Sequence, residues 1–496
     1  MAGGQRIRTL IHEKGKAMTD RIARMLDRLG QELQGRLSMP GDERYAAATA
    51  IWAKPIGRMP RAVVHCQAPE DVQLAIRAGR DCEIPISVRG GGHDWAGRAL
   101  CEGIVIDLSA MNAVAVCPDK SAARISGGAR AADIVALTDP FGLAPVMGSV
   151  GVVGMAGLTL GGGYGPLIGR FGLALDNLVA ATVVLGDGRI AVATPDDEED
   201  LFWALRGGGG NFGVVIEMRH RLHDLPAVRS GLLIYPFADT NAILDGYADI
   251  ANSAPAELSA QLGFVAGSDG APVIMIVPTW CGQPEQGEAV LAPFFKLGKV
   301  LVSTVDVRPY GASLKLFDPY LAYGQRVFME SCSLPTLGGD SSQSFIEAME
   351  SAVSPGCAIF THEFKGAAAQ VPADATAFGH RRKHVLVELL ATFVDRSDKL
   401  EEEQHQRWLQ ATLHRFDATM LPGGYPNLLP KGDVSRAAKS YGDNAERLLK
   451  VKRRYDPDNM FSSAIPLPVD RGAGRKTAAG GFTAGSRQSP AVGRAG

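Results

Sequence analysis

The sequence predicts an α+β protein that folds into two lobes. The chain has 496 residues, more than the ~100–200 residues that one domain usually contains. Residues 61–222 alternate short runs of valine and isoleucine with glycine-rich turns and a few helical stretches. Residues 229–420 contain fewer glycines and alternate strand patterns with helix patterns. Each region therefore mixes helices with strands, as expected for two packed lobes.

The N-terminal region is predicted to be a helical extension, because apolar residues recur at helical spacing from Leu10 to Leu33. We expect this helix to pack on its own protein, with contact to a partner or a membrane as the alternative. At the other end, a tail rich in Gly, Ala, Ser and Arg is expected to be disordered. The predicted segments are the helical extension (1–40), the two lobes (41–228 and 229–420), a C-terminal segment (421–469) and the tail (470–496).

The composition favours small-molecule chemistry. The 51 lysines and arginines nearly balance 53 aspartates and glutamates, so a net charge of -2 gives no broad field for nucleic acid or an anionic membrane. The 7 cysteines are scattered and form no CxxC pair, which indicates thiols in a reducing compartment. The sequence has no signal-peptide pattern and no run of the ~18 apolar residues of a membrane span. We predict a cytoplasmic monomer or homodimer.

A first glycine-rich loop, Arg89-Gly90-Gly91-Gly92-His93, directly follows the strand pattern IPISV. Glycines let backbone N–H groups approach ligand oxygens, and the arginine supplies a cation, so the loop is suited to hold a diphosphate. A purely structural glycine turn is the alternative. From this context alone, His93 is either a polar turn residue, a phosphate hydrogen-bond donor or a ligand-binding residue.

Two further glycine clusters follow. Residues 148–165 (GSVGVVGMAGLTLGGGYG) contain 8 glycines, too many for a helix or regular strand, which predicts an ordered loop that lies flat against a large planar ligand. The third cluster has Gly208, Gly210 and Gly213 at GxGxxG spacing. It follows a helix pattern and precedes a strand, which is the reverse of the Rossmann order, so NAD binding is not expected there.

Other motifs are absent or incomplete. His380 and His384 lie in a strand-like context without a carboxylate or a third ligand, so no metal centre is predicted. The sequence contains no GxSxG elbow and no GxxxxGK[ST] loop, which weakens hydrolase and nucleotidase interpretations.

Taken together, these stretches resemble the FAD-linked oxidases of the vanillyl-alcohol oxidase and p-cresol methylhydroxylase (PCMH) superfamily, specifically its berberine-bridge-enzyme-like branch. The resemblance spans about residues 40–468 and rests on VRGGGHDWAG, IVIDLSAM, GMAGLTLGGGYGPLIGRFGLALDNL, DLFWALRGGGGNFGVV, DATAFGHR and YGDNAERLLKVKRRYDPDNMF. It implies a two-lobed PCMH-type FAD-binding domain over 41–228 and a substrate domain, an antiparallel sheet covered by helices, over 229–420. Residues 421–469 would return to the FAD domain.

The resemblance also implies a cofactor site. His93 would carry FAD covalently on its C8 methyl group, and the preceding loop residues from Arg89 would hold the diphosphate. Many relatives add a cysteinyl link eleven residues before the GGGYG glycines, but that position is Val150 here, so a single attachment is expected. Val153 matches a gate for oxygen, where valine accompanies oxidase behaviour; simple packing is the alternative. Further FAD-lining residues implied are Gly148, Gly154, Gly157, Gly161, Asp176, Asn177, Val215 and Asn427.

Three side chains are candidates for catalysis. Oxidising an alcohol, hemiacetal or amine requires removal of a proton from O or N as hydride leaves carbon. Tyr164 and Tyr425 match ring-side tyrosines of the family that act as base or orient substrate; each is otherwise a core aromatic. Glu388 is the carboxylate inside the apolar strand VLVELLATF and aligns with a substrate-facing Glu or Gln of relatives. Strand alternation that exposes Glu388 to solvent is the alternative.

The predicted function is that of a covalent FAD oxidase. A hydride would move from a CH–OH or CH–NH group of a small organic substrate to flavin N5, and O2 would reoxidise the flavin and give hydrogen peroxide. One alternative is a dehydrogenase or oxidative cyclase of secondary metabolism with another electron acceptor. A second alternative is a flavin-binding protein without catalysis. The sequence does not indicate the substrate.

Overall fold

The computed structural model describes residues 2–467 except 55, 56, 58, 319, 320, 322, 395–397 and 431, with side chains from residue 17 onward. The predicted disordered tail, 470–496, lies outside these residues. The described part mixes helices with largely antiparallel sheets, which confirms the α+β prediction.

The helices are α1 (Ala2–Leu33), α2 (Glu43–Thr49), α3 (Pro69–Cys82), α4 (Ala131–Thr138), α5 (Met155–Gly161), α6 (Ile168–Phe171), α7 (Glu199–Leu205), α8 (Thr240–Ser253), α9 (Gly287–Leu291), α10 (Tyr310–Ser313), α11 (Asp340–Glu350), α12 (Ala367–Gln370), α13 (Lys399–His414), α14 (Val434–Tyr441) and α15 (Ala445–Tyr455). The strands are β1 (Leu37–Ser38), β2 (Ala62–His65), β3 (Ile86–Arg89), β4 (Ile104–Asp107), β5 (Val114–Val116), β6 (Ala122–Ser126), β7 (Leu143–Pro145), β8 (Leu178–Val184), β9 (Ile190–Ala193), β10 (Val214–Asp224), β11 (Val228–Ser230), β12 (Leu233–Pro236), β13 (Leu258–Ala266), β14 (Pro272–Trp280), β15 (Val302–Ser303), β16 (Asp306–Arg308), β17 (Arg326–Leu334), β18 (Cys357–Phe364) and β19 (His384–Phe393).

The first sheet has the order β1-β2-β4-β3, in which β2, β4 and β3 are parallel. The strands β2 and β4 are buried at every position, which explains their continuous runs of Val and Ile. Helix α3 packs on this sheet and begins at Pro69, where a fixed φ suits the first helical turn. Because parallel strands end at the same edge, the loop after β3 emerges beside the end of β4.

The second sheet is antiparallel, with the order β5-β6-β10-β8-β9 and with β7 paired to β10. Its long strand β10 alternates buried and more exposed residues, as expected when one face packs on a core. That core also contains side chains from α4, α5 and α7.

The third sheet is antiparallel, with the order β15-β12-β14-β13-β18-β19-β17; in addition, β11 pairs with β14 and β16 pairs with β11. Alternate residues of its central strands, among them Leu262, Ile359 and Leu389, pack under α8, α11 and α13. The intervening residues, among them Gln261, Phe360 and Glu388, point to the opposite face and line a cavity. The two-residue period of the strands therefore separates a core face from a cavity face.

Two local predictions were wrong. The glycine cluster 148–165 was expected to contain no helix, yet α5 occupies Met155–Gly161. Its glycines are spaced widely enough there for Met155, Leu160 and their neighbours to bury on the core. The second concerns RAAKSYGDNAERLLKVKRRY (residues 436–455), whose helical pattern predicts one helix; the structure divides it into α14 and α15 at Gly442, whose φ of 52° is left-handed.

Candidate active site

A cavity of about 580 Å³ lies between the three sheets, within the ~300–1,000 Å³ range of cofactor and ligand pockets. One side is formed by the first glycine loop, by α5 with the residues before it, and by β10. The cavity face of the third sheet forms the other side. The predicted residues that line the cavity are Gly90, Gly91, Gly92, His93, Gly148, Val153, Gly154, Gly157, Val215, Asn427, Tyr164, Tyr425 and Glu388.

The first glycine loop is in backbone contact with the second glycine cluster. A Cβ atom built at Gly91 would lie 2.4 Å from the Cα atom of Gly154, and Gly92 has a left-handed φ of 75°. No side chain fits at the first position, and L-residues avoid the second conformation. Glycine is therefore required here so that two loops can meet and expose their N–H groups to one cavity.

Arg89 does not line the cavity. Its guanidinium points beneath the loop, where Nη1 lies 3.0 Å from Oδ1 of Asp107, and Asp107 Oδ2 lies 3.2 Å from Nδ1 of His65. Burial opposes ionisation of Asp107, but the hydrogen bond with His65 and the charge of Arg89 outweigh it and hold the pKa of that carboxyl below its usual value. The placement does not support the prediction that this side chain holds a diphosphate; Arg89 instead anchors the loop.

His93 is stacked on Trp52, with ring centroids 4.6 Å apart. Its Nδ1 atom and the indole Nε1 of Trp52 are both buried, and neither has a hydrogen-bond partner within the described part of the chain. Burial lowers the pKa of His93 to about 4; the charge of Glu388 raises it and that of Arg130 lowers it further. The imidazole is therefore neutral at pH 7. Its Nδ1 atom makes no hydrogen bond, so it is available to bond to a group bound in the cavity.

The second glycine cluster presents bare backbone to the cavity. A Cβ atom at Gly157 would meet no protein atom within 4 Å, so this turn of α5 faces open space. Val150 and Val153 also line the cavity. Gly161 does not line it, because the side chain of Asn427 covers this position, 2.3 Å from where a Cβ would lie. The residues present thus fit a large planar group that packs against backbone.

Asp176 and Asn177 were predicted to line FAD, but the structure places both away from the cavity. Asp176 accepts two hydrogen bonds of 2.8 Å from Arg381, which precedes β19. Asn177 is buried and donates to the carbonyl oxygens of Phe171 and Leu173. These contacts tie the loop before β8 to neighbouring segments, so both residues have structural roles in this model.

Tyr164 and Tyr425 lie side by side in the cavity wall, with ring centroids 4.7 Å apart. The hydroxyl of Tyr164 is 2.8 Å from Nε2 of His384. The hydroxyl oxygen of Tyr425 accepts from the backbone N–H of Gly163 and from the amide of Asn427, each at 2.9 Å. Burial raises the pKa of Tyr425 to about 12 against the lowering effect of those two donors, and it raises the pKa of Tyr164 as well. Both phenols are protonated at neutral pH.

Glu388 faces the cavity rather than bulk solvent. Its Oε1 atom is 3.2 Å from Nε2 of His362, which is itself 3.3 Å from the side-chain nitrogen of Gln261. These three residues lie on neighbouring strands and form a polar group within an otherwise apolar wall. Of the two alternatives for Glu388, the structure has the cavity-facing one; its pairing with His362 was not predicted.

Several cavity residues were not predicted. His362, Gln261, Trp52 and Arg98 all line the cavity. For His362 a signal was present, because it occupies the same alternation phase in β18 as Glu388 does in β19. Arg98 donates to the carbonyl oxygen of Asn427 across 329 positions of sequence, a contact that no local pattern predicts.

Among the described residues, no group of three or more His, Cys, Asp or Glu side chains is arranged to hold a metal ion. No described helix is long and apolar enough to cross a membrane.

Two family models match the chain. Residues 60–194 match the "FAD binding domain" model, and residues 419–468 match the model described as "Berberine and berberine like". The first match includes the His93 loop, the second glycine cluster and β8. The second includes Tyr425, α14 and α15. The two matched segments thus contribute residues to the same cavity.

Full-length comparisons agree with these matches. The chain is 29% identical over 444 residues to (R)-6-hydroxynicotine oxidase of Paenarthrobacter nicotinovorans, covering 86% of this chain and 95% of that protein. The crystal structure of 6-hydroxy-D-nicotine oxidase from Arthrobacter nicotinovorans superposes with a TM-score of 0.78 at 28% identity, covering 86% and 96% of the two chains. Glucooligosaccharide oxidase from Acremonium strictum, described with 6-S-cysteinyl, 8α-N1-histidyl FAD, superposes with a TM-score of 0.75 at 25% identity, covering 87% and 97%.

Proposed function

Since this chain is an FAD-linked oxidoreductase of the berberine-bridge-enzyme-like family, we propose that it holds FAD covalently through His93 alone. The observation that carries this proposal is the unpaired, buried Nδ1 atom of His93 at the cavity wall. A neutral imidazole with a free ring nitrogen is the form that can bond to a carbon atom. In the glucooligosaccharide oxidase, FAD is attached through a histidyl nitrogen and a cysteinyl sulfur.

The single attachment is proposed from the residues that precede α5, on the same side of the cavity as His93. Val150 lines it at the position predicted for a cysteine, and none of the seven cysteines lines it. A valine side chain has no nucleophile, so the second link has no counterpart here. The same cavity side carries Val153, which we propose as the gate that leaves room for O2.

Bound FAD would supply the hydride acceptor. The first glycine loop and Gly154 would hold its diphosphate through backbone N–H groups, and α5 would support the ring system through the bare face at Gly157. The chain's own residues would exclude water, orient the substrate and take up its proton. Tyr164, Tyr425 and Glu388 are the groups placed for the last two tasks.

The cavity face of the third sheet favours a compact apolar substrate. Its polar members are few, chiefly Gln261, His362 and Glu388. Every hydroxyl of a buried sugar would need a hydrogen-bond partner, and leaving one unpaired is costly. We therefore propose an aromatic or aliphatic alcohol or amine rather than an oligosaccharide. The apolar residues that line the cavity here include Val265, Ala266, Met275, Met329, Ala358, Phe360 and Leu390 from the sheet, together with Phe317 from the segment after α10.

The proposed function is tested in two steps. Acid precipitation of the purified protein should leave the yellow colour in the pellet, and colour in the supernatant would refute covalent attachment. Anaerobic mixing with benzyl alcohol, N-methylbenzylamine or cellobiose should then bleach the flavin with at least one of the first two, whereas bleaching by cellobiose alone would refute the substrate class. Admitting air should restore the colour with release of hydrogen peroxide; slow recovery would favour a dehydrogenase.

Location and domain boundaries belong to the same proposal. All seven cysteines are free thiols, which supports the proposed cytoplasmic location. We keep 1–40, 41–228, 229–420, 421–469 and 470–496 as the proposed segments. A monomer or homodimer remains the proposed assembly.

A further inference from the structure

His384 and Tyr164 form a buried pair behind the cavity wall. His384 is 2% exposed and opens β19, and Tyr164 is 6% exposed and follows α5. The Tyr164 ring lines the cavity, whereas the imidazole of His384 does not. The pair therefore joins the site to a group that cannot itself touch a bound molecule there.

The hydrogen bond made by Nδ1 of His384 determines the direction of the hydrogen bond between its Nε2 atom and Tyr164. Its Nδ1 atom lies 2.8 Å from the carbonyl oxygen of Arg382. A carbonyl oxygen only accepts, so Nδ1 carries the proton of the neutral ring and Nε2 is left as an acceptor. Burial lowers the pKa of His384 to about 3, and the neighbouring His380 and Arg382 contribute to this, so the ring is neutral. The Tyr164 hydroxyl must donate to Nε2.

The two tyrosines consequently have opposite hydrogen-bonding capacity. Tyr164 donates its only proton to His384, so the lone pairs of its oxygen remain available to accept. Tyr425 already accepts from Gly163 and Asn427, so what remains is its proton, which can be donated. A substrate O–H or N–H group can therefore donate to the Tyr164 oxygen, while the substrate O or N atom accepts the proton of Tyr425.

From this geometry we infer that His384 is a positioning residue of the reaction: it orients the Tyr164 hydroxyl and receives its proton when Tyr164 takes up the substrate proton, whereas Tyr425, which has no such acceptor, donates to the substrate. The inference rests on the proposed function. As the substrate C–H bond breaks and hydride leaves for FAD, the substrate O–H or N–H proton moves to the Tyr164 oxygen and the Tyr164 proton moves to Nε2 of His384. The product is a C=O or C=N group, and one proton resides on the imidazole.

The proton on His384 would return by the way it came. In the imidazolium form Nδ1 would still donate to the carbonyl oxygen of Arg382, which cannot take up a proton, so Nε2 is the nitrogen that can release one. Because burial disfavours the imidazolium form, His384 would hold the proton briefly and return it to the Tyr164 oxygen. Tyr164 would then release one proton into the cavity, where formation of hydrogen peroxide from O2 consumes it.

The hydrogen-bond assignment is tested without substrate by ¹⁵N spectroscopy of labelled histidines in the flavin-loaded protein. We expect the His384 ring to be protonated on Nδ1 and not on Nε2, and its Nε2 resonance to shift in Tyr164→Phe but not in Tyr425→Phe. His384→Phe, which retains stacking on Phe364, assigns the resonance by its loss. A proton on Nε2, or no shift in Tyr164→Phe, would overturn the inference.

The catalytic role is tested by the rate of anaerobic flavin bleaching with benzyl alcohol or N-methylbenzylamine. Tyr164→Phe and His384→Phe should each slow it by about 10²–10⁴-fold, the range of general-base catalysis, and the double variant should be no slower than the slower single one. His380→Phe, 4.3 Å from His384 between ring centroids, should bleach at the parental rate. If the double variant instead slowed bleaching by the product of the two single effects, the proposed proton transfer from Tyr164 to His384 would be overturned. Loss of colour on acid precipitation would refute the proposed function and leave the spectroscopic result intact.

Discussion

Arg89 and Asp107 form an ion pair of 3.0 Å at the ends of the adjacent parallel strands β3 and β4, directly beneath the loop that carries His93. His65, at the end of β2, reaches the second carboxylate oxygen at 3.2 Å. All three side chains are largely buried. The glycines thus face the cavity while a charged cluster fixes their loop from below.

Asp107→Asn should destabilise the protein by about 3–5 kcal/mol, because removing one partner leaves Arg89 as a buried charge without compensation. Urea unfolding of the flavin-loaded protein measures this. Glu217→Gln is the matched control, since Glu217 pairs with Arg124 on the surface, and it should cost at most about 1 kcal/mol. Equal effects of the two substitutions would contradict the assigned role.

The contribution of Asp107 should also depend on pH. Its folded-state pKa lies below the usual value of ~3.9 for the reasons given above. The stability it provides is therefore fully present above the unfolded-state pKa and is lost as pH falls through the lower folded-state pKa. The difference in free energy of unfolding between the parent and Asp107→Asn should be constant from about pH 5 to 7 and shrink below about pH 4. A difference that persists at lower pH would refute this.

Two glycine substitutions should have separable effects. Gly91→Ala places a Cβ atom 2.4 Å from the backbone of Gly154, so it should lower both the melting temperature and the flavin content. At Gly157, an added Cβ atom meets no protein atom and points into the cavity. Because alanine favours a helix over glycine, Gly157→Ala should stabilise the flavin-free protein by about 0.5–1 kcal/mol. It should nevertheless reduce flavin content, because the methyl group occupies space that the flavin needs. Normal flavin content in both variants would show that the loops do not hold the cofactor.

Val150→Cys should create a second covalent link to FAD. The position lines the cavity, and a thiolate there would be a nucleophile within reach of the ring. The sharpest form of the experiment combines it with His93→Ala. Acid-stable flavin in the double variant, but not in His93→Ala alone, is the expected result; no acid-stable flavin in the double variant would place Val150 too far from the ring.

Glu388→Gln should weaken binding of a cationic amine more than that of a neutral alcohol. The carboxylate faces the cavity, where its hydrogen-bonding neighbour is the imidazole of His362, so an ammonium group gains an attraction that an alcohol does not. The measurement is the concentration dependence of flavin bleaching: a raised KM for N-methylbenzylamine with KM for benzyl alcohol changed little. Equal changes in KM for the two compounds would show that the charge of Glu388 does not favour binding of the amine.

The sequence predicted the α+β class and most of the cavity because the glycine loops and the strand alternation are local patterns. His93, Tyr164 and Glu388, which it assigned to one site, line the same cavity although they come from distant segments. It failed where a side chain's direction depends on a distant partner. Arg89 turns toward Asp107 and Asp176 toward Arg381, and such pairings across sequence leave no periodic pattern.

The functional pairing of Tyr164 with His384 was missed for a related reason. The spacing of His380 and His384 was assessed only as a metal motif, and nothing near either residue in sequence indicates a tyrosine 220 positions away. The helix inside the second glycine cluster was missed because glycine content outweighed the spacing of its apolar residues.

We propose that FAD is attached to the protein once, at His93. Peptide mapping by tandem mass spectrometry of the denatured, protease-digested protein locates the attachment directly. We expect the flavin mass on the peptide that contains His93, on no other peptide, and on none in His93→Ala. Flavin on a different peptide, or no peptide-bound flavin in the parent protein, would contradict it.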